Sequence, residues 1–178
     1  MPATTESITD TYREQIRQFE QAYDYDCSYL YDLLDRTPAG FARFHAARPM
    51  TSFREHLPAE AHYVAAITVM QHKDCGTCLQ LNLQMAQEEG VDPELLRTLL
   101  QFPERLPAPL QDVRRHAALV TADQEPDPEC AARIRSHYGE AAFGELALCI
   151  AGVQIYPTLK RALLKASACR IPVGGVPA

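Results

Sequence analysis

Between Tyr12 and Leu34 the apolar residues Tyr12, Ile16, Phe19, Tyr23, Cys27, Leu30 and Leu34 recur at steps of four, three, four, four, three and four. Such steps fall on one stripe of a helix and on both faces of a strand, so the segment reads as one helix about six turns long. Helical punctuation continues beyond it. Thr37-Pro38 is an N-cap followed by proline at the first helical position, opening a short helix through Phe41, Phe44 and His45. From Pro58 an apolar face runs through Tyr63, Val64, Ile67 and Met70; Asp74 ends that helix and caps the next, which spans Cys75 to Glu89 with Gly90 as its C-terminal cap. Asp92-Pro93-Glu94 starts a helix through Leu95, Leu96 and Leu99. Later helices are predicted at Pro109 to Ala122, at Asp127 to Tyr138 with Gly139 as terminator, and at Glu140 to Ile155. Within the last, Leu146 to Ile155 is hydrophobic on every side and reads as the central buried helix, followed after Pro157 by an amphipathic helix through Leu159, Leu163 and Leu164. Helical periods extend from Thr9 to Ala168, and no alternating run is bounded by turn signals. The expected fold class is all-α: one domain over residues 1–178, with an N-terminal helical extension at 1–57, a core segment at 58–102 and C-terminal helices at 109–170.

Composition narrows the function. A chain of 178 residues with 47% apolar content can form a real core without disulfide staples, which excludes a disordered chain. The 17 basic and 23 acidic residues give a net charge of −6 with both signs spread along the sequence, so no nucleic-acid partner is expected. The longest apolar stretch, Leu146 to Tyr156, is interrupted by Gln154 and is short of the roughly 20 residues a spanning helix needs. The Met-Pro-Ala-Thr-Thr-Glu start has neither a basic n-region nor an apolar h-region. A cytoplasmic protein without membrane contact is therefore expected.

Of the 6 cysteines, Cys27, Cys130, Cys149 and Cys169 stand alone, and Cys75-Gly76-Thr77-Cys78 forms a close pair at a predicted helix start. Residues three apart on a helix share a face with Cα atoms about 5 Å apart, close enough for a disulfide to form without moving the backbone. Unpaired N–H groups at the helix start also favour thiolate over thiol. The pair therefore points to redox chemistry, against the alternative of two buried inert thiols. A zinc site is disfavoured, because His72 supplies only a third ligand and no fourth is near. No metal or cofactor is expected. Ile155-Tyr156-Pro157-Thr158-Leu159 resembles the proline loop of thioredoxins, but Lys160, Arg161 and Lys165 alternate with Leu159, Leu163 and Leu164 at a helical period where that family places a strand.

The stretch from Ala59 to Leu100 resembles the AhpD-like (carboxymuconolactone decarboxylase) superfamily: a helix, a cysteine pair opening the next helix, Leu81 to Ala86, then Gly90-Val91-Asp92-Pro93-Glu94. The resemblance covers about a quarter of the chain and implies an oligomer of all-α subunits. It also implies thiol peroxidase chemistry in which Cys78 attacks a peroxide and Cys75 resolves it, with a dithiol as reductant. The family's proton relay is replaced here: Asn82 stands where a His is expected and Tyr63 where a Glu is expected. Neither titrates near pH 7, although Asn82, one turn from Cys78, could hydrogen-bond a thiolate. His72, His62 and Glu60 are the neighbouring candidates for a rearranged relay. With the Tyr-rich stripe of the first helix, the resemblance leads to the expectation of a homo-oligomer with a dimer as minimal unit. Two functions follow. One is an AhpD-like thiol oxidoreductase acting on a peroxide or disulfide; the other is a non-enzymatic oligomeric scaffold or binding protein with a degenerate relay.

Overall fold

In the computed structural model, which describes residues 5–165, the long N-terminal helix is two helices. α1 (Thr5–Tyr23) and α2 (Ser28–Arg36) are separated by a tight turn at Asp24, whose φ of 46° lies in the left-handed region that Asp tolerates better than most residues. The turn is closed by the Tyr25 N–H donating to the Glu20 carbonyl at 3.2 Å and by the Asp26 carboxylate accepting the Ser28 N–H at 2.8 Å. Its consequence is Tyr25, which lies 5% exposed in the core.

The chain continues through α3 (Pro38–Ala47), a 3-10 turn at Arg48–Thr51, α4 (Ala59–His72), α5 (Gly76–Glu88), α6 (Pro93–Gln101), α7 (Ala108–Thr121), α8 (Pro128–Tyr138), α9 (Glu140–Val153) and α10 (Ile155–Ala162), with no strand among the described residues. Several expected signals are where the sequence puts them. The Thr37 hydroxyl accepts the Gly40 N–H at 3.3 Å, Asp92 accepts the N–H of Glu94, and Asp127 accepts those of Glu129 and Cys130. Gly90 and Gly139 terminate helices with φ of +83° and +89°.

Other expectations are corrected. Asp74 caps nothing: its φ is +48°, and Cys75 is the N-cap of α5 without a side-chain cap bond. The central helix is α4, in which every residue from Ala61 to Met70 is buried and against which α5, α7 and α9 pack. α9 has a wet side at Ala141, Gly144, Ala147, Leu148 and Ala151. The polar residues of α4 disguise its burial in the sequence; the Thr68 hydroxyl is satisfied within the helix, donating to the Val64 carbonyl at 2.7 Å. α10 begins before Pro157 and ends at Ala162, with Leu164 at φ +58° and 89% exposed rather than on an apolar face. The end of the expected helical span, Ala168, and Cys169 lie outside the described residues.

The Tyr-rich stripe of α1 is covered by its own chain: Tyr12 packs on Phe41 and His45, Phe19 on Tyr23 and Tyr25, and the Tyr23 hydroxyl donates to Glu88 at 3.0 Å. α9 and α10 join into a 23-residue stretch, Glu140–Ala162, which by length and composition alone is apolar enough to cross a membrane, longer than the sequence suggested. Its packing supplies another reason for that composition: α9 lies against α4, α7 and α8. Glu145 of α9 is buried and fastens the loop before α4, accepting the N–H groups of Glu55 at 3.1 Å, His56 at 3.0 Å and Leu57 at 2.8 Å, with His56 Nδ1 at 2.9 Å.

Candidate functional site

The cysteine pair sits where α5 begins, Cys75 as its N-cap and Cys78 in its first turn. Both are buried, 1% and 3% exposed, and the Cys78 side chain is hydrogen-bonded to that of Cys75. The break between α1 and α2 brings the Tyr25 hydroxyl to 3.4 Å from Cys78 Sγ. From α10 comes Lys160, 0% exposed, whose Nζ lies 3.3 Å from Thr77 Oγ1 and 4.3 and 5.0 Å from the ring centres of Tyr25 and Tyr29. Two aromatic faces and one hydroxyl thus replace the water an ammonium group would otherwise keep. Among the described residues no carboxylate pairs with it.

The electrostatics correct the expectation of a ready thiolate. The Cys78 thiol is pushed well above its ordinary range by the hydrogen bond with Cys75 and by burial. The Lys160 charge and the Tyr25 hydroxyl act in the opposite direction and offset only part of that rise. Lys160 also favours the Cys27 thiolate, but burial still pushes Cys27 up to about 12. At Cys78 the bond with Cys75 and then burial set the direction.

Cys78 opens onto a cavity of about 460 Å³ between the N-terminal helices, the 3-10 turn, α4 and α5. Asn82 and Tyr63 both line it, so the structure gathers three of the five residues singled out from the sequence around one space. Their bonds are directed elsewhere. The Asn82 amide donates to the carbonyl of Cys78 at 2.8 Å rather than to a sulfur, and the Tyr63 hydroxyl donates to Glu89 at 2.7 Å, where Arg54 forms an ion pair. Cys75 is not among the residues that line the cavity. His72 is exposed at the end of α4 and is not part of the wall, and Glu60 is exposed near the start of the same helix. His62 does line the cavity; it is 4% exposed, and burial followed by the Arg54 charge lowers its pKa to about 4, so it is neutral at pH 7.

Sequence reasoning missed Tyr25, Tyr29 and Lys160. The first pair was hidden by a period that runs unbroken across the Asp24 turn, and Lys160 by its place on a segment whose basic residues read as solvated. Asp24-Tyr25-Asp26 was the available signal, since two Asp residues flanking one apolar residue favour a turn. Among the described residues no three His, Cys, Asp or Glu side chains are grouped to hold a metal ion. Compared with protein-family models, with curated proteins and with solved structures, the chain gives no match in any of the three.

Proposed function

We propose that the chain is an AhpD-like thiol oxidoreductase that uses Cys78 and Cys75 on an organic hydroperoxide, with a dithiol as reductant. The observation that carries this reading is the contact of the two thiols at the start of α5, with the Tyr25 hydroxyl on Cys78, Lys160 on the intervening Thr77 and Cys78 facing a cavity. In the reaction the Cys78 sulfur attacks the distal peroxide oxygen, the O–O bond breaks, and the alkoxide leaves as alcohol with the proton given up by the thiol. Cys78 is then a sulfenic acid. Cys75 attacks its sulfur, a disulfide forms and water leaves, and two electrons from the external dithiol restore both thiols. Tyr25 hydrogen-bonds the Cys78 sulfur and Lys160 supplies positive charge near it, the two features that favour thiolate in a buried setting. Turnover is slow, because a thiol held above its ordinary range supplies little thiolate at pH 7 and neither Tyr63 nor Asn82 can relay a proton. The working unit is a homo-oligomer.

The test is peptide mapping by mass spectrometry after treatment with cumene hydroperoxide. Cys75 and Cys78 should be lost together as one disulfide that dithiothreitol reverses. Both thiols surviving, or a rate unchanged in Cys78→Ser, would remove the pair from the chemistry. That outcome would favour a non-enzymatic binding protein, a reading supported by the raised Cys78 thiol and by the Asn82 amide being tied to the backbone.

A further inference from the structure

We infer that the cavity beside Cys78 binds a medium-chain carboxylate, its headgroup on Arg48 and its alkyl body running along the aromatic wall toward the thiol. The inference deepens the oxidoreductase reading and rests on it only for what happens at Cys78. Three observations lead to it. The cavity is large enough: at about 30 Å³ for each water-sized group, 460 Å³ holds roughly fifteen, room for a ten- to twelve-carbon acid and little more, and the volume lies in the range of small-molecule sites. Its wall is apolar and aromatic for most of its extent, with Phe19, Tyr25, Tyr29 and Leu81 among the lining side chains.

Its charge is one-sided. No Asp or Glu occurs among the described residues that line it, whereas Arg48 does. Both histidines in the wall are pushed toward the neutral form, His62 to about 4 by burial and the Arg54 charge, and His45 downward by burial and the Arg48 charge. Arg48 is thus the single ionised group of the wall.

That guanidinium also lacks a carboxylate. Most arginines of the fold hold one, but among the described residues Arg48 has no ion-pair partner; it makes a long 3.5 Å hydrogen bond with His45 Nδ1 and lies 5.9 Å from the centre of the Phe19 ring. A planar fork of donors at the edge of an apolar cavity suits a carboxylate better than any neutral headgroup. Position supports the direction of the chain. Arg48 touches Phe19, Phe19 touches Tyr25 at 6.0 Å between ring centres, and the Tyr25 hydroxyl touches Cys78, so the headgroup and the reacting sulfur are two aromatic contacts apart. His62 Nδ1, buried and without a hydrogen-bond partner among the described residues, offers a neutral polar contact along the way.

The experiment is calorimetric titration of the full chain with decanoate, 1-decanol and decylammonium at low ionic strength. Decanoate should bind at least tenfold more tightly than decanol. Arg48→Gln should erase that difference while leaving decanol affinity in place, and Arg48→Glu should turn the preference to decylammonium. Equal affinity of the wild type for decanoate and decanol, binding of neither, or a preference that survives Arg48→Gln would overturn the inference. None of the probes can oxidise a thiol, and the titration is repeated on Cys75→Ser/Cys78→Ser. Binding that persists there while peroxide fails to close the disulfide separates failure of the redox reading from failure of this one.

Discussion

Replacing Glu145 by Gln tests whether the loop before α4, and so the wall of the site, is held by one buried carboxylate. Burial by itself would raise the pKa of this group, but bonds from the His56 side chain and from the N–H groups of Leu57, His56 and Glu55 hold it down to about 2, against an ordinary 4.5. A depressed acid stabilises the fold at every pH above its unfolded value, and that contribution is lost as pH falls through the folded one. At 1.36 kcal/mol per unit the difference amounts to about 3 kcal/mol, fully present above about pH 5 and gone near pH 2. Glu145→Gln keeps the shape and one acceptor oxygen, removes the charge and places an NH₂ among donors. It should cost about 3 kcal/mol at pH 7, or roughly 6–12 °C in Tm for a domain of this size. The assay is urea denaturation of both proteins from pH 7 to pH 2.5. The gap between them should be constant down to about pH 5 and then narrow, because only the wild type loses the carboxylate's contribution. Equal stability at pH 7, or a gap that does not narrow in acid, would mean that the Glu145 carboxylate does not hold the loop.

Two further outcomes follow from the geometry. Gly152→Ala would bring a Cβ to 2.9 Å from Thr51 Cγ2 and 3.0 Å from Thr51 Cα, a backbone atom that cannot swing away, so the variant should lose about 1–3 kcal/mol in the same denaturation assay. On the proposed oxidoreductase reading, Asn82→His with Tyr63→Glu puts two proton-relaying groups on the cavity wall and should raise the peroxide rate by roughly 10²-fold or more; a wild type already as fast would mean that another group serves as base.

How far the sequence carried the fold can be seen residue by residue. Thr37, Gly90, Asp92, Asp127 and Gly139 act where their chemistry is local: a hydroxyl or carboxylate meets an N–H two or three residues on, or a glycine takes a positive φ. The Asp24 turn was invisible to periodicity because Tyr23 and Cys27 stay four apart whether or not a helix joins them. The choice of α9 over α4 as the central helix followed hydrophobicity, which counts His62 and Thr68 as surface residues although both are buried. At the site, the cysteine pair, Asn82 and Tyr63 were legible through spacing. Lys160 was not, since only the rings of Tyr25 and Tyr29, more than a hundred residues earlier in the chain, make its burial tolerable.

Lys160 offsets part of the rise that the Cys75 bond and burial impose on the Cys78 thiol, and the rate of Cys78 alkylation at about pH 8 in wild type and Lys160→Met measures that directly. Cys78 is followed by mass spectrometry with iodoacetamide, with Tm confirming that both proteins are folded. A nearby opposite charge shifts the pKa of an ionisable group by roughly one to three units, so Cys78 of the variant should be alkylated at least about tenfold more slowly than that of the wild type. A rate that is unchanged or higher in Lys160→Met would show that the lysine serves packing alone.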